Sequence, residues 1–254
     1  MTNVLDTWIP SGLCRGAALR LFCLPCAGGG ASVYHAWRRE LPAGIDCCPI
    51  QLPGRESRWR ESLFTSMTPL VDVLTDAIVS HADVPFALFG HSMGAAIAFE
   101  VVRALRRRGA PLPLRLFVAG LSSPETSRPG HRHRLDDRAL ADELRRFGGT
   151  PPRLLEDEEL LRHVLPILRA DFAVIETWQP ADEAPLPLPI TAFAGADDRE
   201  APPPALAGWR RQTDADFRVV VVPGHHFFVQ STIARRMVIE AIARDVSEAL
   251  AHAA

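Results

Sequence analysis

Residues 86–94, Phe86-Ala-Leu-Phe-Gly90-His-Ser92-Met-Gly94, decide the fold. Phe86–Phe89 is a short apolar run typical of a buried strand, and a helical pattern follows over Met93–Arg108. The intervening Gly-x-Ser-x-Gly fits a sharp strand-to-helix turn, in which the two glycines leave room and the serine hydroxyl stands above the sheet. A bare Gly-x-Ser-x-Gly also arises as an accidental turn. The flanking strand and helix favour the catalytic interpretation, so the sequence predicts Ser92 as a nucleophile.

The rest of the chain alternates strands with helices, which predicts an open, mostly parallel α/β sheet with helices on both faces. Near-continuous apolar runs, as in a sheet covered on both faces, predict strands at Leu19–Leu24, Ile45–Leu52, Phe86–Phe89, Leu114–Leu121, Pro189–Ala194 and Phe217–Val222. Helical periodicity adds Pro69–His81, Met93–Arg108 and Met237–Leu250. With the serine turn, this pattern predicts a single α/β-hydrolase domain over residues 1–254.

One segment, from about residue 128 to 180, breaks the alternation. It offers no convincing strand but has helical patterns at Asp136–Phe147, Glu156–His163 and Pro166–Thr177, the first capped by Asp136 or Asp137. Helices inserted there would cover the carboxyl edge of the sheet, where α/β proteins place their sites. We expect a lid, and a helical extension without a gating role is the alternative.

A nucleophilic serine needs a base, and the base needs a carboxylate that orients it. In α/β-hydrolases these residues follow along the chain in the order Ser, acid, His. Downstream of Ser92 one predicted strand runs into Asp197-Asp198 and the next runs into His225-His226. Both pairs therefore lie at strand ends on the same side of the sheet as Ser92. From the residues alone, the acid is Asp197 or Asp198 and the base is His225 or His226.

Two backbone amides are candidates for an oxyanion hole. The Met93 N–H lies at a helix N-terminus, where unpaired donors and the helix dipole favour a developing negative charge. The second donor should come from the loop after the first strand, and the Ala27 N–H fits that place. The glycines that follow could instead form a phosphate or dinucleotide loop. That alternative would need a glycine where Val33 stands, or a lysine, and neither is present.

Composition excludes several classes of function. All 28 basic residues are arginine, so a Schiff-base lysine, a P-loop lysine and a Ser-Lys dyad are excluded. A net charge of −2 argues against nucleic-acid binding, and no apolar stretch reaches the roughly 18 residues of a membrane span. No secretory signal is recognised, and five cysteines within Cys14–Cys48 fit a reduced, cytoplasmic protein. No metal-ligand spacing occurs, so we expect neither a metal nor a cofactor.

Four motifs are spread over nearly the whole chain. They are Leu24-Pro-Cys-Ala-Gly-Gly-Gly-Ala31, Gln51-Leu-Pro-Gly-Arg-Glu56, Gly90-His-Ser-Met-Gly94 and Gly224-His-His-Phe-Phe228, accompanied by Leu168-Arg-Ala-Asp-Phe172 in the insertion. Together they resemble the external, type II, thioesterases that accompany modular polyketide and non-ribosomal peptide synthases. Gly-His-Ser-Met-Gly is shared with many hydrolases, whereas the first two motifs and the last are more specific.

The resemblance narrows the choice of acid and base. The family's Gly-x-x-Asp arrangement falls on Asp198, with Asp197 in reserve. The family's Gly-Gly-His-Phe-Phe falls on His226 as the base. His225 stands where the second glycine of that motif usually lies, which leaves His225 as the alternative base.

The resemblance also implies a reaction. The triad of Ser92, Asp198 and His226, with the amides of Ala27 and Met93, would hydrolyse acyl thioesters on the phosphopantetheine arm of acyl or peptidyl carrier proteins and so clear misprimed or stalled chains. A serine esterase, lipase or lactonase is one alternative, and a chain-releasing thioesterase domain is another. The initial methionine and the lack of an Asp-Ser-Leu carrier motif favour a free-standing protein. A non-catalytic binding protein of this fold would not need the full triad.

The resemblance raises two further expectations about particular residues. Cys26 replaces the His or Tyr that the family commonly has before the oxyanion alanine, which would alter the pocket wall. Carrier proteins are typically acidic, and guanidinium groups suit bidentate contacts with carboxylates and phosphates. We therefore expect Arg55, Arg58, Arg60 and the Arg128–Arg134 loop to form a docking face.

Overall fold

Six strands form one parallel sheet in a computed structural model that describes residues 7–126, 129–150 and 152–253. They are β1 (Leu19–Leu24), β2 (Ile45–Pro49), β3 (Phe86–His91), β4 (Leu116–Ala119), β5 (Ile190–Gly195) and β6 (Phe217–Val222). Their spatial order is β2-β1-β3-β4-β5-β6, and every described pairing is parallel. The predicted parallel sheet is confirmed. The predicted ends at Leu52 and Leu121 are too far along, because the chain leaves the sheet after Pro49 and Ala119.

The two faces of the sheet are both covered by helices. The α-helices of the described residues are α1 (Trp37–Glu40), α2 (Met67–Ser80), α3 (Met93–Arg107), α4 (Asp137–Phe147), α5 (Pro152–Glu156), α6 (Glu158–Glu176) and α7 (Thr232–Ala253). Shorter 3₁₀ segments occupy Ala31–Tyr34, Glu56–Arg58, Pro124–Thr126, Arg132–Arg134, Pro203–Gln212 and Phe228–Gln230. Helices α2 and α3 pack on one face, and α1 and α7 pack on the other.

The near-continuous hydrophobicity of the strands follows from this layering. Successive side chains of a strand point to opposite faces, so both sets must be apolar when both faces are covered. In β3, Leu88 belongs to the core beneath α2 and α3, whereas Ala87 and Phe89 belong to the core beneath α7. The strand β6 lies at the edge of the sheet, and its residues 217–220 are half-buried, Val221 is exposed and Val222 is buried.

Helices α4, α5 and α6 lie between β4 and β5 and share a small apolar core of their own. It consists of Leu140, Leu144, Leu155, Leu165, Leu168 and Phe172. Asp136 caps α4 by accepting a 2.8 Å hydrogen bond from the Ala139 N–H, and Gly148 ends that helix with φ +75°. The expected start of the insertion at residue 128 lies outside the described residues.

The prediction of two helices over Glu156–His163 and Pro166–Thr177 is wrong, because α6 runs through Pro166 without a break. Proline lacks the N–H that would bond to the carbonyl of Arg162, which normally favours a helix end. Here Leu165 and Leu168 are buried beside Pro166 and pack into the apolar core of the insertion, while Pro166 itself faces solvent. Packing on the inner face therefore outweighs one lost hydrogen bond on the outer face.

Among the described helices, none combines the length and the apolar character that crossing a membrane requires.

Replacing Pro166 with alanine tests this account of α6. Pro166→Ala restores an N–H donor at an exposed helical position, so the free energy of unfolding should rise by about 2 kcal/mol. Urea unfolding measures the change. The neighbouring His163→Ala, also at an exposed position of α6, should stay within about 0.5 kcal/mol of the wild type. Equal or lower stability of Pro166→Ala would contradict the account.

Candidate active site

Ser92 occupies a strained turn between β3 and α3. Its φ is +54° and its ψ is −117°, a conformation that non-glycine residues rarely adopt. A Cβ at Gly90 would collide with the carbonyl of Gly94, and a Cβ at Gly94 would collide with the carbonyl of Leu24 at the end of β1. The two glycines therefore allow the chain to reverse tightly. The Ser92 N–H donates to the Ala119 carbonyl at 2.8 Å and ties the turn to β4.

The structure brings a histidine and a carboxylate to this serine. His226 Nε2 lies 3.0 Å from Ser92 Oγ, and His226 Nδ1 lies 2.9 Å from Asp198 Oδ2. Asp198 follows β5 and His226 follows β6, and both side chains are buried. This chain of hydrogen bonds is geometrically suited to withdraw the serine proton towards the imidazole.

The environment of Asp198 keeps its side chain ionised. Burial raises the pKa of this carboxyl, but the hydrogen bond and charge of His226 and two backbone amides act in the opposite direction, and the net pKa lies below its ordinary value. The amides belong to Glu200 and Ala201, whose N–H groups donate to Asp198 Oδ1 at 2.9 and 3.1 Å. Both carboxylate oxygens are thus occupied, and the imidazole is held in one orientation.

Asp197 and His225, the reserve choices, lie outside this arrangement. Both are exposed, and His225 Nδ1 lies 3.3 Å from the Asp197 backbone carbonyl. The Asp197 N–H donates to the Gly224 carbonyl at 3.0 Å. These two residues therefore join the β5 and β6 loops on the outside, and neither has a described hydrogen bond to Ser92.

Ala27 and Met93 line the same cavity as Ser92. Met93 is the first residue of α3, so its N–H has no acceptor within the helix. Among the described hydrogen bonds, neither amide has a protein acceptor. Both donors are available at this end of the sheet, and their role as an oxyanion hole stays a prediction.

A cavity of about 530 Å³ opens above the serine. Its floor includes Ser92 and His226, and the insertion supplies apolar walls, with Leu144, Phe147, Val164, Leu168 and Phe172 among them. Phe147 meets the His226 ring edge to face with ring centroids 5.2 Å apart. An acyl chain would find an apolar environment here, directly beside the serine hydroxyl.

Cys26 also lines this cavity but is not a competing nucleophile. Burial and, after it, the charge of Asp171 raise the pKa of the Cys26 thiol to about 12. The thiol is therefore neutral near pH 7, and thiols react mainly as thiolates. No group of three or more His, Cys, Asp or Glu in the described ranges is placed to hold a metal ion.

Sequence reasoning missed His91, which precedes the serine. Burial and the nearby charge of His226 lower the pKa of His91 to about 3. The ring is therefore neutral, and its Nε2, 2.8 Å from the backbone carbonyl of His226, carries the proton that it donates. The signal available in the sequence was its position at the end of β3, next to the nucleophile.

The expected docking face is wrong for two of its arginines. Arg55 and Arg58 are buried: Arg55 pairs with Asp171, and Arg58 stacks 4.0 Å over the Trp8 ring while bonding Glu61. Both side chains turn inward, because the Arg55 guanidinium contacts Asp171 and the Arg58 guanidinium contacts Trp8. Arg60 and Arg134 are exposed, Arg132 is half-buried and bonds Glu200 at 3.0 Å, and Arg128 lies outside the described residues.

Comparison with known proteins identifies the family. The family model described as a thioesterase domain matches residues 19–248. The chain belongs to the thioesterase family. It is 40% identical to the gramicidin S biosynthesis protein GrsT of Aneurinibacillus migulanus over 230 residues, which cover 90% of each chain.

Solved structures agree with this assignment of the thioesterase. RedJ, a thioesterase from the prodiginine biosynthetic pathway in Streptomyces coelicolor, superposes with a TM-score of 0.86 at 38% identity over 91% of each chain. YbtT, a type II thioesterase from the yersiniabactin NRPS/PKS pathway, superposes with a TM-score of 0.83 at 31% identity over 94% of this chain and 97% of its own. The resemblance to type II thioesterases and the α/β-hydrolase fold are confirmed, and the protein is a thioester-hydrolysing enzyme.

Neighbouring residues of the same type provide matched tests of the site. Asp198→Asn should lower kcat by about 10³- to 10⁴-fold, because the amide favours the wrong tautomer of His226. His226→Ala should lower it by at least as much. The controls Asp197→Asn and His225→Ala should stay within about twofold of the wild type. Steady-state hydrolysis of an acyl-pantetheine thioester measures all four, and a reversed order within either pair would reassign that residue.

The neutral state of His91 predicts an acid-dependent loss of stability. The unfolded chain takes up a proton near pH 6.5, whereas folded His91 does so only near pH 3, so stability present above pH 6.5 is lost as pH falls towards 3. Between pH 7 and pH 5 this group should account for about 2 kcal/mol. Urea unfolding at both pH values should show a smaller loss for His91→Gln than for the wild type. An equal loss in the two proteins would contradict the prediction.

Proposed function

We propose that this thioesterase hydrolyses acyl thioesters on the phosphopantetheine arm of carrier protein domains of a polyketide or non-ribosomal peptide synthase, and so clears misprimed or stalled chains. The observation that carries the proposal is the hydrogen-bonded series Ser92, His226 and Asp198 at the floor of an apolar cavity. The pathway names of GrsT and YbtT support the synthase as the setting.

The first half-reaction acylates the serine. His226 Nε2 accepts the Ser92 proton while Oγ attacks the thioester carbonyl carbon, and Asp198 stabilises the imidazolium that forms. The amides of Ala27 and Met93 hold the negative oxygen of the tetrahedral intermediate. When this intermediate collapses, the carbon–sulfur bond breaks, and His226 gives its proton to the departing pantetheine sulfur, which leaves as the thiol.

The second half-reaction frees the enzyme. A water molecule replaces the thiol, His226 accepts one of its protons, and the resulting hydroxide attacks the acyl-serine carbonyl through the same oxyanion hole. Collapse of the second tetrahedral intermediate breaks the bond from carbon to Ser92 Oγ, and His226 returns the proton to the serine. The products are a free carboxylic acid and a carrier arm that ends in a thiol.

The insertion between β4 and β5 is proposed as a lid on a single α/β-hydrolase domain. It supplies apolar walls of the cavity through residues such as Leu144 and Phe172, so the acyl chain would lie between the insertion and the sheet. Phe147, near the end of α4, touches the His226 ring and restricts water around the base. The exposed Arg60 and Arg134 are the arginines of the expected docking face that suit an acidic carrier.

The proposal places the enzyme in the reducing cytoplasm. The five cysteines are free thiols, and Cys23 Sγ lies only 3.8 Å from Cys47 Sγ. A reducing compartment would keep such neighbouring thiols from forming a disulfide.

A paired-substrate assay tests the proposal. Purified enzyme is incubated with an acetyl- or propionyl-loaded carrier protein and, separately, with the matching simple ester. We expect faster release of the acyl group from the carrier, measured by mass spectrometry of the carrier. Hydrolysis of the ester but not of the carrier-bound thioester would overturn the proposed substrate in favour of an esterase.

The Ser92→Ala variant tests the mechanism in the same assay. It should lose turnover by a factor on the order of 10⁴ or more while retaining the wild-type melting temperature, because the hydroxyl is needed only for chemistry. The matched control is Ser122→Ala, which removes a hydroxyl from another residue of the cavity wall and should leave turnover within about fivefold. Wild-type activity in Ser92→Ala would refute the nucleophile.

A further inference from the structure

Three of the motifs meet at one point beside the proposed oxyanion hole. Gly28 comes from the glycine-rich motif after β1, Arg55 from the Gln-Leu-Pro-Gly-Arg-Glu motif after β2, and Asp171 from the Leu-Arg-Ala-Asp-Phe motif of α6. None of these residues takes part in the triad. Their convergence gives the first, second and insertion motifs a common place in the structure.

Asp171 is the centre of this contact. Its Oδ2 accepts a 2.7 Å hydrogen bond from the Gly28 N–H and another from Arg55 Nη1, and its Oδ1 accepts a 2.8 Å hydrogen bond from Arg55 Nη2. The side chains of Asp171 and Arg55 are 4% and 6% exposed. The carboxylate is therefore enclosed, and its two partners are a guanidinium and a backbone amide of the glycine-rich loop.

Arg55 is itself held in place by backbone groups. Its Nε donates to the Pro53 carbonyl at 3.2 Å, and its Nη1 lies 3.4 Å from the Gly29 carbonyl. Gln51 bridges the same two loops, since its Oε1 accepts from the Ala31 N–H and its Nε2 donates to the Arg55 carbonyl, both at 3.1 Å. Contacts other than those with Asp171 thus also fix the guanidinium relative to the loop.

Gly28 has no side chain, and its backbone conformation and its surroundings both disfavour one. Its φ is +76°, and a Cβ there would lie 2.7 Å from Leu168 Cδ2 of α6. The next residue back is Ala27, the proposed oxyanion donor, and the peptide plane between them carries the N–H that Asp171 binds. Fixing the Gly28 amide therefore fixes the Ala27–Gly28 peptide plane. The Ala27 N–H lies in the preceding plane, whose Cys26 carbonyl accepts a 3.0 Å hydrogen bond from the Gly29 N–H of the same loop.

We infer that Asp171 is a positioning residue of the oxyanion hole: held by Arg55, its carboxylate anchors the Gly28 N–H and so aims the Ala27 N–H at the developing oxyanion. The inference rests on the proposed function, because it needs Ala27 to be an oxyanion donor. Asp171 belongs to α6, so the insertion supplies part of the framework of the hole, in addition to its walls around the cavity.

The test separates the effect of the hydrogen-bond acceptor for the Gly28 N–H from the effect of the ion pair between Arg55 and Asp171. Arg55→Leu combined with Asp171→Leu removes both charges and the acceptor, whereas Arg55→Leu combined with Asp171→Asn removes both charges but keeps an oxygen that accepts from Gly28. Replacing both members of a buried pair spares the fold from an unpaired charge. Arg55→Leu with Asp171→Ala serves in the same role if the double leucine variant does not fold.

We expect the variant without an acceptor to lose about 10- to 100-fold in kcat on an acyl-pantetheine thioester, with KM within about twofold, since removal of a whole oxyanion donor costs about 10²- to 10³-fold. The asparagine variant should recover most of that loss. Affinity for an acyl trifluoromethyl ketone, which forms a negatively charged adduct with the nucleophilic serine, should fall by the same factor as kcat/KM.

A buried ion pair elsewhere in the molecule, whose carboxylate also bonds Arg218, is the control. Arg115 and Asp245 are both buried, and their side chains approach to 3.5 Å beside the amino-terminal end of β4. Arg115→Leu combined with Asp245→Leu should lower the melting temperature without changing kcat or the inhibitor affinity. A purely structural role for Asp171 would make the two pairs of substitutions equivalent in these measurements.

Two outcomes overturn the inference. The first is wild-type kcat and inhibitor affinity in the variant without an acceptor. The second is an asparagine variant that is as impaired as the variant without an acceptor. Failure of the proposed function is recognised separately in the same series, as wild-type turnover by Ser92→Ala or no thioester hydrolysis by the wild type. If Ser92→Ala is inactive while the variant without an acceptor is fully active, only the inferred role of Asp171 is refuted.

Discussion

The close approach of α3 to the end of β1 is the constraint on which the rest of the site depends. It is possible because Gly94 presents no side chain to the Leu24 carbonyl, and Ser92, two residues before Gly94, has a positive φ. The same approach puts the start of α3 beside the loop that carries Ala27, and Ala27, Ser92 and Met93 all line one cavity. The proposed nucleophile and the proposed oxyanion hole therefore depend on the same backbone contact.

The order of strands in the sheet supplies the other members of the site. Strands β5 and β6 are parallel neighbours, so the loops that follow them begin at the same edge of the sheet. The two loops are in contact, since a Cβ at Gly195 would lie 2.5 Å from the Gly224 carbonyl oxygen. That contact aligns Asp198 with His226 while the Ser92 turn lies above β3. Asp198 stays ionised in spite of its burial, because the two amides and the imidazole that contact it favour the charged form.

Local patterns predicted the sheet, because strands buried on both faces must be apolar throughout, and they predicted the serine turn, because only glycines fit there. They could not choose between Asp197 and Asp198, since adjacent residues of one turn differ only in direction. The predicted helix break before Pro166 and the predicted docking role of Arg55 were both wrong, for a related reason. Each depended on a distant partner: the apolar core of the insertion in one case, and Asp171, 116 positions away, in the other.

The pairing of Arg55 with Asp171 has a consequence for how such enzymes diverge and how they can be recombined. Insertions between strands are often regarded as modules that can be exchanged to change substrate range. Here the exchange boundary would cut a buried ion pair, leaving either an arginine or a carboxylate without its counter-ion inside the protein. A chimera that takes its insertion from another relative must therefore bring a carboxylate to position 171, or replace Arg55 at the same time. The insertion and the loop after β2 are therefore coupled through this pair and need to be exchanged as one unit.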